Sequence, residues 1–206
     1  MTMQMQHQSK TKLLTAAQNI IRAKGYTATT VDDICQEAGV TKGSFFHHFK
    51  SKDDLTIEAA KQWGKMTEGF FKEAPYHQYK DPLQRLIGYV NFRIAIMEGE
   101  IREYTCLFGT LVQETYDTHP KIRKICDSGM STHIATLMKD IEEARNLYTP
   151  EAAWSIESLG YFIQSALQGA FIFAKAKKDA EIAKESLVHL RQYLELLFMK
   201  PKNQKE

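Results

Sequence analysis

Apolar residues recur at steps of three and four along most of the chain and almost nowhere alternate, which predicts helices and no strand. Leu13, Leu14, Ala17, Ile20 and Ile21 form one stripe over residues 9–24, and Gly25 supplies a C-terminal stop. Thr29-Thr30 followed by Val31-Asp32-Asp33-Ile34 reads as a hydroxyl cap with acids in the first turn of a second helix, which ends at Ala38-Gly39-Val40. Thr41 opens a third, short helix over 42–49. Ser51 with Asp54 reads as a capping box, with Asp in place of Glu, starting a fourth helix that runs toward residue 71 before Ala74-Pro75 breaks it. Further on, Asp81-Pro82 caps a helix carrying Leu83, Leu86, Ile87, Val90 and Ile94. Others are expected over 104–116, over 120–143 with Gly129 as a candidate break, from Thr149-Pro150-Glu151 to Lys177, and over 180–199.

Composition narrows the class. The 206 residues are 43% apolar, enough for a packed core, and 5 prolines with 11 glycines are too few for the turns of an all-β fold. A net charge of +2 requires any anion-binding surface to be built locally rather than in bulk. Cys35, Cys106 and Cys126 are odd in number and far apart, which argues against a disulfide framework and for a reducing compartment. Residues 1–8 are polar and lack the apolar core of a signal peptide. The longest apolar stretch, 159–174, is interrupted by Gln164, Ser165 and Gln168, so a cytoplasmic protein is expected. No HExxH, paired CxxC, phosphate-binding glycine loop or GxSxG is present, and His7, His119, His133 and His189 stand alone. Neither a metal, a cofactor nor a catalytic pair is indicated.

Residues 30–52 carry the most specific chemistry. Two short helices joined by Ala38-Gly39-Val40-Thr41 make a helix-turn-helix, in which the small Ala packs and the Gly takes the turn. In that motif the second helix lies in the major groove of DNA. Lys42, Ser44 and the backbone at Gly43 face outward, while Phe45 and Phe49, four apart, face inward. Phe46, His47 and His48 crowd the outer side, a surface suited to groove walls and phosphates. Lys52, at a helix start, places an ammonium where the helix dipole also favours an anion, and Thr30 can donate its hydroxyl and amide likewise. The residues alone leave two alternatives open: a helical interaction module without DNA binding, and a helical enzyme.

The run from Tyr26 to Ile34 and then from Ala38 through Thr41-Lys42-Gly43-Ser44-Phe45-Phe46-His47-His48-Phe49-Lys50-Ser51-Lys52 to Leu55 closely resembles the TetR family of transcriptional regulators in order and spacing. The resemblance implies an all-α homodimer: an N-terminal three-helix DNA-binding domain over 9–55, then a helical ligand-sensing and dimerisation domain over 56–200. It implies a double-stranded DNA operator and a small-molecule inducer as partners. It also places Thr30, Lys42, Gly43, Ser44, Phe46, His47 and Lys52 at DNA-facing positions. Two residues depart from the family pattern. Phe46 stands where Tyr is usual, removing a hydroxyl contact to phosphate that is worth about 1.5–3 kcal/mol, with His47 or His48 as the candidate replacement. Cys35 stands where Ala is usual and reads as core packing.

The last two helices read as the association surface. Ile156, Leu159, Gly160, Ile163, Leu167, Ala170, Phe171 and Ala174 give one a wide apolar face, and Leu187, Leu190, Leu194, Leu197 and Phe198 give the other a heptad-like seam. Two such helices per subunit would form a four-helix bundle across a two-fold axis; the alternative is the internal core of one subunit. A sensor cavity is expected among the middle helices, lined by Phe92, Ile96, Tyr104, Cys106, Phe108, Leu111, Gln113, Met138 and Phe162. Thr105-Cys106-Leu107 sits at a helix start, which favours a thiolate, and the Cys-Leu pair resembles a branch of the family that includes cysteine sensors of electrophiles or oxidants. Cys106 is therefore a candidate thiol sensor, with Lys175 as the cation that would lower its pKa, beside the alternative of a buried inert cysteine.

Overall fold

The structure, a computed structural model, describes Met3–Met199, with side chains described from Gln8 onward, so the reading of residues 1–8 lies largely outside the described residues. Every regular element among the described residues is helical. The order is α1 (Met3–Lys24), α2 (Val31–Ala38), α3 (Lys42–His48), α4 (Lys52–Lys72), a 3-10 turn (Pro75–Gln78), α5 (Pro82–Ala95), α6 (Ile101–Tyr104), α7 (Leu107–Thr115), α8 (Pro120–Tyr148), α9 (Ile156–Lys177) and α10 (Glu181–Leu197). No helix among the described residues is long and apolar enough to cross a membrane.

The chain divides into two compact units, neither contiguous in sequence. One holds the described residues up to Phe70 together with Thr105–Met130; the other holds Phe71–Tyr104 and the residues from Ser131 onward. In the first unit, Leu13, Ala17 and Ile21 of α1 pack with Ile34 of α2, Phe45 of α3 and Leu55 of α4, joined by Leu107, Leu111 and Cys126. Cys35 is buried in this core, as its small size suggests.

Several element boundaries differ from the sequence pattern. Helix α1 begins at Met3, because its polar first turns are still built of helix-forming Met and Gln. The expected helix over 104–116 is two, separated at Thr105-Cys106, where the Cys106 sulfur caps α7 by accepting from the Gly109 amide at 3.5 Å. Helix α8 runs through Gly129 without a break. A Cβ at that position would overlap the Phe108 ring, so this glycine permits close side-chain approach rather than a bend. The start signal at Thr149-Pro150-Glu151 lies in a turn after α8, and α9 begins only at Ile156, where the Ser155 hydroxyl accepts from the Ser158 amide at 2.9 Å.

In the second unit Arg85 of α5 reaches α8: its Nε donates to Asp140 at 2.7 Å, and Glu143 and the carbonyls of Tyr79 and Lys80 take its other N–H groups. Asp81 caps α5 by accepting from the Gln84 amide at 2.8 Å, while the Tyr148 hydroxyl donates to its other oxygen. Deeper in this unit, Gln164 Nε2 donates to the Tyr89 hydroxyl at 2.9 Å, and that hydroxyl lies 3.0 Å from His133 Nε2. Burial, aided by the Arg93 charge, pushes the His133 imidazole down to about 3, so it is neutral and accepts the Tyr89 proton. The unfolded chain protonates this histidine below about pH 6.5 and the native state does not, so its contribution is complete above that pH and is lost toward pH 3. Urea unfolding at pH 7 and pH 5 should show a loss of about 2 kcal/mol from this group, and His133→Gln, which keeps an acceptor for Tyr89, should remove that increment.

Candidate nucleic-acid interface

The turn between α2 and α3 is fixed by its backbone. Gly39 adopts φ 62°, ψ 40°, a left-handed conformation that terminates α2 and that a Cβ disfavours. Its amide donates to Gln36 and that of Val40 to Cys35, the paired bonds that close a helix end. Thr41 then starts α3 by accepting from the Ser44 amide at 3.2 Å. Phe45 and Phe49 point into the core, with their rings 5.9 Å apart.

Lys42, Gly43, Phe46 and His47 are exposed on the outer side of α3. Phe46 is the most exposed aromatic of this unit's helix-turn-helix, at 59%. Ser44 is only half-exposed, and its amide donates to the Thr41 cap. Three of the residues expected to face outward make contacts within the protein. His48 packs against α1, its Nε2 2.7 Å from Ser9 Oγ, and burial together with the charges of His47 and Lys10 lowers its pKa, so His47 alone of the pair faces out. Thr30 is exposed, but its amide and hydroxyl both donate to Asp33, at 2.8 and 2.7 Å, forming the capping box of α2. Lys52 is not a free cation: its ammonium donates to the Tyr26 and Thr29 carbonyls, both at 3.0 Å, and lies over the Tyr26 ring at 4.1 Å. It holds the loop that positions α2.

Two ion pairs set the local field. Lys42 Nζ is 2.8 Å from Asp32, joining the start of α3 to α2, and this contact raises the lysine pKa. Lys24 meets Asp33 at 2.7 Å, and the hydrogen bonds from Lys24 and Thr30 hold that carboxyl far below the usual range. A further contact has no signature near the motif. Glu114 of α7 accepts the Tyr26 amide at 3.0 Å and the Thr27 amide at 2.7 Å. Burial works to raise its pKa, but these amides and the Lys52 charge outweigh burial and hold it low. Beside it the Tyr26 hydroxyl donates to Asp53 at 2.5 Å, with His119 Nε2 3.4 Å away.

The six residues expected around a ligand are divided between the two units, three in each. In the first unit Cys106 is half-buried at its cap, Phe108 is buried against Gly129, and Gln113 is exposed with its amide donating to Gly109 of its own helix. Lys175 lies half-buried in the last turn of α9, in the second unit. There Phe92 stacks near Phe71 and Tyr76, at 6.0 and 5.8 Å, and Tyr104 is buried against Phe171 at 6.1 Å. Phe162 points outward, 45% exposed, with its ring 5.0 Å from Tyr193 of α10. It belongs to an outer face and not to an interior lining.

Residues 13–59 match the family model of bacterial regulatory proteins of the tetR family, and residues 82–190, more than half the chain, match the tetracyclin repressor-like C-terminal domain. The chain belongs to the TetR family. Members are DNA-binding transcriptional regulators and not enzymes. This TetR-family chain is 26% identical over 172 residues to an uncharacterized HTH-type transcriptional regulator, YxaF, of Bacillus subtilis, covering 83% of this chain and 87% of that one. It is 24% identical over 198 residues to the HTH-type transcriptional repressor NemR of Escherichia coli, with 92% and 95% covered. Among solved structures, a TetR regulator from Chloroflexus aurantiacus superposes with TM-score 0.81 at 19% identity, over 94% of this chain and 97% of that one. The reduced form of E. coli NemR does so with TM-score 0.75 at 20% identity, over 89% and 95%.

Proposed function

We propose that this regulator is a repressor that binds a palindromic or near-palindromic operator as a homodimer and is released by a small-molecule or thiol-reactive inducer. The observation that carries the DNA reading is the exposed outer side of α3, where Lys42, Gly43, Phe46 and His47 stand clear of the core that Phe45 and Phe49 anchor. Its direction toward repression follows the similarity to the E. coli repressor NemR.

The association surface is again assigned to α9 and α10, but to a different face. Leu159, Ile163, Leu167, Phe171 and Ala174, with Leu187, Leu190 and Leu194, are buried inside the subunit. Gly160 packs so closely on Ile134 of α8 that a Cβ would press into it. Helix α9 is apolar on more than one side, so the side with Leu159, Ile163, Leu167 and Phe171 takes the internal contact and a second apolar side remains outside. Tyr161, Phe162, Ile172 and Phe173 with Tyr193 and Leu196 form that outer surface. Two copies related by a two-fold axis would cover it and present two recognition helices about 34 Å apart.

A mobility shift with DNA from beside the protein's own gene tests the reading. A salt-sensitive, sequence-selective complex is expected, weakened about tenfold or more by a Lys42→Ala, His47→Ala double variant. A complex indifferent to sequence, or unchanged by the double variant, would remove α3 as the reader. Cys106→Ser that still releases DNA normally on treatment with an electrophile would remove the thiol route.

A further inference from the structure

Arg93 of α5 is a half-buried cation packed on aromatic rings, with no ion pair among the described residues. Its guanidinium carbon lies 5.0 Å from the centre of the Phe71 ring and 5.6 Å from that of Phe171. Its Nε is buried without a hydrogen-bond partner. Arg85, about two turns earlier on the same helix, shows how this unit treats an arginine that serves structure: two carboxylates and two carbonyls take its protons. None of the ion pairs among the described residues involves Arg93. A second donor is in the same position: the Tyr104 ring packs on Phe171, the side chain is 8% exposed, and its buried hydroxyl has no partner. Rings around a guanidinium, with two proton donors left over and no acceptor, describe half of a recognition site. A buried guanidinium N–H and a buried hydroxyl without acceptors are costly, and the partner that removes that cost is an oxyanion carried on a flat apolar body.

We infer that Arg93, flanked by Phe71 and Phe171 and assisted by the Tyr104 hydroxyl, binds the carboxylate of a small aromatic acid. This specifies the chemical class of the inducer and so rests on the inducer reading above. The guanidinium takes the carboxylate in a charge-assisted, directional contact, and the rings hold the aromatic body.

Calorimetric titration of the full-length protein with 1-naphthoate and with its neutral analogue 1-naphthamide tests the site. The acid should bind about tenfold or more tightly than the amide; Arg93→Gln should erase that preference, and Arg93→Lys should keep part of it. Equal affinity for acid and amide, no heat of binding up to about 5 mM acid, or an Arg93→Gln protein that still prefers the acid overturns the proposal. Should Arg93→Gln fail to fold by circular dichroism, Tyr104→Phe carries the test: acid binding about threefold weaker supports the site, and unchanged binding overturns it. The inducer reading fails separately. Acid that binds through Arg93 yet leaves the operator complex intact keeps the site and removes its link to DNA release.

Discussion

Phe173→Glu should convert the protein from dimer to monomer in light scattering after size exclusion, and weaken operator binding by about a hundredfold or more. Phe173 is 60% exposed on α9, beside Ile172 and on the same side of the helix as Tyr161 and Phe162. A surface of this kind is stable only when covered, and each large side chain withdrawn from water contributes about 1.5–3 kcal/mol. In a two-fold interface every substitution is made twice, so the variant loses two buried rings and introduces two like charges. The effect on DNA follows from valence: each half-site contact is weak alone, and tethering the two makes the second intramolecular. Phe46→Ala on α3 serves as the control, since it should weaken DNA binding without changing the molecular mass. A Phe173→Glu protein that remains dimeric would show that the subunits associate elsewhere.

Gly25→Ala should destabilise the protein by about 3 kcal/mol in urea unfolding, the largest stability effect expected from a single methyl group here. Gly25 ends α1 with φ 87°, where an L side chain is strained, and an added Cβ would overlap the Glu114 carboxylate. To relieve the overlap Glu114 must release the Tyr26 and Thr27 amides, so the substitution breaks two contacts as well as straining one residue. Glu114→Gln alone should cost about 1–2 kcal/mol, and the two changes together less than their sum, because both undo the same latch. Since the Glu114 pKa is held below its ordinary value, its contribution is present above the unfolded carboxylate pKa and is lost as pH falls through the folded one. The Gln variant should lack that acid-dependent loss. Additive effects would show that Gly25 and Glu114 act independently.

Local signals made the N-terminal motif legible. Thr30, Thr41, Ser51 and Asp81 all cap where their spacing predicts, because a cap depends on residues three positions apart. The Phe45 and Phe49 pair showed which side of α3 is inside for the same reason. What stayed hidden depends on distant partners. Lys52 carries a suitable donor, but the acceptors that claim it, the carbonyls of Tyr26 and Thr29, appear only once the helices are placed. Glu114 lies 88 residues from Tyr26, and nothing near either announces the contact. On α9 periodicity failed because the helix is apolar on more than one side, so it could identify the helix but not which face lies inside. Arg93 was invisible because an unpaired arginine looks like a paired one until its neighbours are known.

The Lys42–Asp32 pair has a thermodynamic corollary. In the free protein the foremost cation of α3 already has a tethered counter-ion, one supplied by α2 and not by the salt of the medium. A phosphate approaching Lys42 therefore displaces a carboxylate that cannot diffuse away. Binding through this residue gains less entropy from released ions than a bare lysine would give, and any DNA geometry that leaves Asp32 facing a phosphate is penalised. The acid beside the lysine thus acts against indiscriminate attachment to the duplex, favouring sites where the other contacts are good enough to dislodge it.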